Sequence, residues 1–292
     1  MELRHIRYFL ALVEERNFTR AAARVGIAQS PFSSQIRDLE TEVGARLFHR
    51  VPHGAELTSA GQAFLEVVRT MPGTAEKAAH AAQRAARGES GRLKVGYTAS
   101  SVFNPVFAAA VRAFRQAYPN VDLALQEANT TWLAESLENE TLDAVFLRPG
   151  STNADAFQLR LLSEEPLLAA LPAAHPAASS DQVDLAELGG EPLLLFPREA
   201  GSTLFDSAIG AFRAAGIEPE LGQSAPQITS LLILIAAGMG VSIVPASVSQ
   251  VSIPGVVFRA LKGQAPTARL SLATRRGDTN IIVRNFLSCA LR

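Results

Sequence analysis

The sequence predicts two kinds of architecture in one chain. An N-terminal α domain of winged helix-turn-helix type leads through a long linker helix into a C-terminal, two-lobed α/β domain. Three observations carry this. Residues 19–40 read as two short helices joined by a tight turn at Gly26. Residues 58–87 form an alanine-rich run suited to one extended helix. From residue 93 onward, strand-like and helix-like patterns alternate, the rhythm of a parallel sheet covered by helices.

Leu3, Ile6, Phe9, Leu10 and Val13 recur at helical spacing and predict an amphipathic helix that roofs the helix pair. Thr19 is the expected N-cap of the pair's first helix, because its hydroxyl can accept a first-turn N–H. Gly26 ends that helix by taking the left-handed conformation. Ser30 is the expected N-cap of the second helix, with Pro31 at its first position, where a missing N–H costs nothing. Ile36, Leu39 and Val43 make the buried stripe. The opposite face carries Ser33, Ser34, Gln35 and Arg37, whose hydroxyls, amide and guanidinium suit base edges and phosphates in a major groove. An ordinary helical hairpin with a polar face fits the same pattern. Leu47, Phe48 and Leu57 then flank the turn-rich Val51-Pro52-His53-Gly54, as in a β-wing. From it Arg50 and His53 can reach phosphates or the minor groove, or act as a solvated charge and a turn residue.

In the linker, Ala63, Phe64, Val67, Val68 and Met71 share a face. Pro72-Gly73 predicts a kink or break, since an interior proline costs about 3 kcal/mol. Gly88 to Gly91 read as a flexible hinge. The expected boundaries are 1–58 for the winged domain, 59–90 for linker and hinge, and 91–292 for the α/β domain. Lobe I would take 91–161 and 267–292, and lobe II 162–266.

In lobe I, strands are expected at 93–97, 121–126 and 142–147, with helices at 103–117 and 131–139. Lobe II should hold strands at 167–171, 193–196 and 241–244 and helices at 203–215 and 227–237. A last strand at 270–274 and a helix from Asn280 return to lobe I. Ligands in such folds sit beyond the carboxyl ends of strands. That rule nominates Ser100 and Ser101, the latter also as a cap for the helix near Phe103, and Thr130 and Thr131 after the second strand. Arg148 follows the third, either to grip a carboxylate bidentately or to form a surface or interlobe salt bridge. Phe196, Pro197 and Ser202 follow a lobe II strand, and Thr229 lies in the first turn of the opposing helix. The hydroxyl residues can equally serve as helix caps. Trp132, the sole tryptophan, is read as core packing. The expected ligand is a small organic anion.

Composition narrows the function classes. The 292 residues are 48% apolar, enough for two or three soluble domains. Net charge is -1, but residues 1–92 carry 13 Lys and Arg against 10 Asp and Glu, so the basic excess sits at the winged end. The single cysteine, Cys289, excludes an intrachain disulfide and a cysteine-rich zinc site. No signal peptide or apolar run of about 18 residues is visible, so a cytoplasmic protein without membrane spans is expected. None of the five histidines falls at a strand end, and no P-loop, nucleophile elbow or metal spacing is present. Neither an enzyme nor a bound metal or cofactor is expected. A solute-binding protein would keep the two lobes but has no use for a helix-turn-helix.

From Phe9 to Gly61 the chain matches a known signature in order and spacing. Its residues are Ala21-Ala22, Ala28-Gln29-Ser30, Ser33, Gln35-Ile36, Leu39-Glu40, Gly44, Leu47-Phe48, Arg50, Leu57-Thr58 and Ala60-Gly61. On these residues the sequence resembles the LysR-type transcriptional regulators. Gly238-Met239-Gly240-Val241 and Val244-Pro245 extend the resemblance to the C-terminal domain. MELRHIRYF and AAGMGVSIVPAS look most like the subgroup that controls benzoate, catechol and chlorocatechol breakdown. Departures fall at Ser34, where many relatives have arginine, and at His53, where they carry a basic wing residue. The resemblance implies a periplasmic-binding-protein-like effector domain and a linker helix that pairs with a second copy. It adds Ala28 and Gln29 to the DNA contacts, beside Thr19, Ser30 and Pro31. It further implies a homodimer or homotetramer on double-stranded promoter DNA, an effector that alters DNA bending, and contact with RNA polymerase. The effector would be an aromatic acid or its ring-cleavage product, with an amino acid or other carboxylate as the alternative.

Overall fold

A computed structural model describes residues 1–52, 54–149, 157–200 and 202–291, and the chain divides into two units, 1–84 and 85–292. In the first, α1 (Leu3–Glu15), α2 (Phe18–Arg24) and α3 (Gln29–Val43) enclose Ile6, Phe9, Leu12, Ala21, Phe32, Ile36 and Leu39. Phe9 is the hub, with the rings of Phe48 and Phe64 at centroid distances of 5.1 and 5.0 Å. Large aromatic groups dominate the burial energy of so small a core.

The helix starts differ from the expected ones. Asn17, not Thr19, caps α2, and its side-chain oxygen accepts the N–H groups of Thr19 and Arg20. Thr19 is thus already inside the helix. Ala28 precedes α3 without a side-chain cap, which leaves Ser30 second and Pro31 third in the helix rather than cap and first residue. Proline is tolerated there because the first four N–H groups have no intrahelical acceptor. Phe32, not Val43, joins Ile36 and Leu39 in the buried stripe, and Val43 is exposed.

Strands β1 (Phe48–Val51) and β2 (Gly54–Leu57) pair antiparallel as the wing, while His53 lies outside the described residues. Glu40 fastens its base, its Oε1 accepting from the Leu47 and Phe48 N–H groups at 2.8 and 3.1 Å. The Ala55 N–H donates to the Arg16 carbonyl at 2.9 Å. That contact requires glycine at 54, because a Cβ there would lie 1.9 Å from the same oxygen.

The linker breaks as expected, but upstream of the proline. Helix α4 (Ser59–Val68) is capped by Thr58, and α5 (Met71–Ala86) begins afresh, so Pro72 sits in its undemanding first turn. Val68 is buried, whereas Ala63 and Val67 are exposed, and α5 buries none of its residues. At the expected hinge, Gly88 adopts φ 66°, and the Asn285 amide donates to the Arg87 carbonyl at 2.9 Å.

Lobe I holds β3 (Gly91–Tyr97), α6 (Pro105–Ala117), β4 (Val121–Glu127), α7 (Thr130–Glu138) and β5 (Ala144–Leu147). The 16-residue β6 (Phe157–Pro172) leads into lobe II, which contains β7 (Gln182–Val183), α8 (Ser202–Ala214), α9 (Ile228–Ala236), β8 (Ser242–Pro245) and β9 (Val256–Leu261). β10 (Thr267–Arg275) and α10 (Ile281–Ala290) complete lobe I. The sheets are mixed rather than parallel. β3 runs parallel to β4 and β5, but β10 is antiparallel to β5 and β6 because it and β6 carry the chain out of and back into the lobe. β6 pairs with β10 up to Pro166 and with β8 and β9 from Leu167, so one strand threads both lobes.

The strand expected at 193–196 is absent. Leu193 makes single parallel bridges to Leu221 and Val241, so its backbone is satisfied from both sides without a ladder. Strands β7 and β9 were not foreseen. Phe107, Phe114, Phe146 and Phe286 centre lobe I, while Leu171, Leu193, Phe212 and Ile243 lie in the core of lobe II. Cys289 and Trp132 are half-buried against lobe I core residues.

Candidate functional site

Two places bring the nominated residues together. On the first unit, α3 turns Gln29, Ser30, Pro31, Ser34 and Arg37 to solvent, with Ala28 and Thr19 also exposed and Ser33 half-buried. Gln35 is less free than the pattern suggested, since its amide donates to Asp38 at 3.3 Å. Between α3 and the wing runs a groove of about 690 Å³ whose lining includes Ser33, Arg37, Arg46, His49 and Arg50. Among the described residues no carboxylate lies within ion-pair distance of Arg37, Arg46 or Arg50, so the groove presents unneutralised guanidinium groups. Glu40 also lines it, but one of its oxygens is occupied by wing N–H groups. A face of hydroxyls and amides beside uncompensated cations can take a polyanion backbone and a row of base edges. Arg46 and His49 escaped the sequence reading. Their signal was proximity to the first wing strand, which faces α3 only once the fold is formed.

On the second unit, a cavity of about 330 Å³ lies between the lobes. Thr98 and Ser100 enter it from beyond β3, Asn129 and Thr130 from beyond β4, and Arg148 from beyond β5. Phe196, Pro197, Thr203 and Gln227 face them from lobe II. The C-terminal ends of parallel strands thus supply the polar groups, and lobe II supplies apolar and amide surface.

Arg148 is the chemical centre of this cavity. Only 3% of it is exposed. Its Nε donates to the Ser100 hydroxyl at 3.1 Å and its Nη2 to the Ser100 carbonyl at 3.3 Å and to Glu165 Oε1 at 2.9 Å. Among the described residues its Nη1 has no partner, although it is buried. Glu165 lies on the threading strand and also accepts from Asn104, from the Ser247 N–H at 2.6 Å and from the Ser247 hydroxyl. Burial pulls the Arg148 guanidinium down, against the opposing pull of Glu165. Burial pushes the Glu165 carboxyl up, but Arg148, the Ser247 N–H and Asn104 together hold it below the ordinary range. A buried guanidinium nitrogen without a partner is costly, which marks Arg148 as the polar group of the cavity lining whose hydrogen bonding is incomplete. Nε and Nη2 are already occupied, so the bidentate fork expected of Arg148 is closed.

The other nominated residues scatter. Ser101 is fully buried, its hydroxyl donating to the Thr98 carbonyl, and α6 is capped by Asn104 instead. α7 is capped by Asn129, not by either threonine, and the Thr131 hydroxyl donates to the Glu199 carbonyl. Thr131 and Ser202 line a neighbouring cavity of about 400 Å³ with Glu135, Glu138 and Glu199. Thr229 is an exposed second residue of α9 and lines neither cavity. Thr98, Asn129, Thr203 and Gln227 were missed. Thr98 and Asn129 lie beyond the same lobe I strands as the nominated Ser100 and Thr130, whereas the approach of Thr203 and Gln227 depends on how the two lobes face each other, which spacing along the chain does not encode. Among the described residues no cluster of three or more metal-ligating side chains is present, and no helix is long and apolar enough to cross a membrane.

Comparison with known proteins gives consistent matches over both units. Residues 3–62 match the family model described as bacterial regulatory helix-turn-helix protein, lysR family, and residues 86–292 match the LysR substrate binding domain. The regulator BudR of Raoultella terrigena is 34% identical, the alignment covering 98% of this chain and 99% of that protein. CatR of Pseudomonas putida is also 34% identical, over 99% and 98% of the two chains. Full-length CbnR bound to its target DNA superposes with a TM-score of 0.87 at 30% identity, covering 99% of this chain and 98% of CbnR.

Proposed function

The chain belongs to the LysR family of bacterial helix-turn-helix transcriptional regulators, and from that premise we propose that it controls a promoter in response to a small organic acid. Family membership makes it a DNA-binding, oligomerising regulator rather than an enzyme. The observation that carries the finer reading is Arg148, which lines the interlobe cavity and whose buried Nη1 has no partner among the described residues. A carboxylate is the acceptor that meets its charge and its hydrogen-bonding need together. The apolar lining supplied by Ala99, Phe196, Pro197 and Leu204 suits a hydrophobic body behind that carboxylate, and an aromatic acid or its ring-cleavage product has this form. The likeness to the benzoate, catechol and chlorocatechol regulators supports the same class.

DNA recognition falls to the exposed face of α3, with Gln29, Ser30, Ser33, Ser34 and Arg37, and to the wing through Arg50. The CbnR complex with its target DNA supports this orientation. Helix α5, which has no fully buried residue within its own chain, is the surface through which two copies pair, and the cytoplasmic assembly is a homotetramer. Effector binding shifts the balance between two arrangements of that assembly, changing DNA bending and access for RNA polymerase.

Genome-wide mapping of the DNA bound by the tagged protein, with and without benzoate or muconate, tests this reading. Enrichment of an inverted repeat beside genes for degrading or transporting such an acid is expected. Absence of discrete sites for a folded, abundant protein would refute it. Replacing Gln29 or Arg37 with Ala should weaken operator binding and leave acid binding intact.

A further inference from the structure

Arg50 projects from the wing into the cationic groove, and what holds it is not a carboxylate. Its guanidinium carbon lies 5.2 Å from the centroid of the Phe18 ring. Both residues line the groove together with Ser33, Arg37 and Arg46. We propose that Phe18 is a positioning residue for DNA binding, an aromatic shelf that fixes the Arg50 guanidinium so that the wing meets a DNA phosphate with its cation already placed. The inference rests on the assignment of Arg50 to the DNA interface.

Three features support the shelf. Phe18 is the first residue of α2, and Asn17 fixes that turn by accepting two N–H groups. The ring is wedged edge-on against the buried Phe32, at 6.2 Å and an interplanar angle of 80°, so its position belongs to the core. The wing is pinned beside it, because the Ala55 N–H bonds the Arg16 carbonyl two residues before Phe18, and Gly54 leaves room only for that close approach. Ring and guanidinium are therefore held from both sides.

The chemistry separates this arrangement from a salt bridge. A carboxylate would neutralise Arg50 and occupy its N–H donors, and both would have to be surrendered to a phosphate. The ring face attracts the cation through its quadrupole and consumes no donor. Among the described residues nothing takes the side-chain N–H groups of Arg50, so all five remain available to a phosphate, and less side-chain entropy is lost on binding.

The test uses the full-length protein and a mixed-sequence DNA duplex several helical turns long, where binding is phosphate-driven. Phe18→Leu should weaken affinity about twofold to fivefold per reading head, the loss that ~0.5–1 kcal/mol at an exposed site corresponds to. Phe18→Tyr should restore it. Arg50→Ala should lower the slope of log affinity against log salt by about 1 per head. Phe18→Leu should lower that slope in part, and should add nothing in the Arg50→Ala background. Equal losses from Phe18→Leu with and without Arg50, or an unchanged salt slope, would overturn the proposal. If Phe18→Leu does not fold, Phe18→Trp carries the test. It should tighten binding only when Arg50 is present, and an equal effect in both backgrounds would overturn the proposal.

Discussion

The reading head and the interlobe cavity both offer arginine to an anion, and they do so in opposite ways. Among the described residues, Arg37, Arg46 and Arg50 stand exposed around an open groove with no carboxylate within ion-pair distance. Arg148 is almost fully buried and tied to Glu165, with a single nitrogen left open. Under the proposed function, the difference follows from what each would bind. A polyanion is gathered by many weak, solvated contacts, each neutralised only when DNA arrives. A single small acid must be selected from water by one desolvated cation, which stays folded in the empty state only if an internal carboxylate shares its charge. The first design trades on long-range attraction, and the second on the completion of a hydrogen-bond set.

The contrast is sharpest in salt. Raising it from 50 to 200 mM should weaken DNA binding by about 10³- to 10⁵-fold if 6–10 phosphates are contacted. Binding of an organic acid at Arg148, followed by calorimetry, should change only a few fold because buried pairs are poorly screened. Equal salt sensitivity at both sites would break the comparison.

The next largest effect tests the internal partner. Glu165→Ala leaves Arg148 buried without its carboxylate and should cost about 3–5 kcal/mol of stability in the second unit, read as a lower melting temperature. The carboxyl of Glu165 is held below its ordinary value of 4.5 in the folded chain. Its contribution is therefore complete above that value and fades as pH falls through the lower, folded one. The wild-type melting temperature should drop across that acidic window, and Glu165→Gln should flatten the dependence. The exposed arginines of the head, having no such partner, predict no matching term for the first unit.

The smallest effect compares Asn17 and Thr19, two residues apart at the start of α2. Asn17→Ala removes the acceptor for two N–H groups and should destabilise the head by about 1 kcal/mol. Thr19→Ala removes an exposed hydroxyl that caps nothing and should shift stability by no more than about 0.5 kcal/mol. Denaturant titration of both variants decides which residue starts α2, and a larger loss from Thr19→Ala would reverse the assignment made here.

Legibility in the sequence followed the range of the interactions. The order of elements, the wing, the break near Pro72 and the polar face of α3 were visible because hydrophobic periodicity, glycine and proline act within a few residues. Cap positions slipped by two residues at α2 and α3: at α2 another polar residue, Asn17, accepts the N–H groups, and α3 begins after Ala28 with no side-chain cap at all. The strand expected at 193–196 showed the same limit from another side. An apolar run of that length signals burial, but whether it joins a ladder depends on what lies beside it, here Leu221 and Val241. Within the cavity, Ser100, Thr130 and Arg148 were legible through the strand-end rule, Phe196 and Pro197 were nominated from a strand that does not form, and Thr98, Asn129, Thr203 and Gln227 were not nominated.

The sequence by itself determined that this chain carries a helix-turn-helix head and a two-lobed α/β domain, because local patterning and a dense signature specify both. Tertiary structure alone decided that Arg148 pairs with Glu165, 17 residues away, that Glu165 is held in turn by Ser247, 82 residues further on, and that Arg50 rests on Phe18. The physical reason is that charge and hydrogen bonding act over a few ångströms of space, and only the folded chain brings such distant residues within that reach.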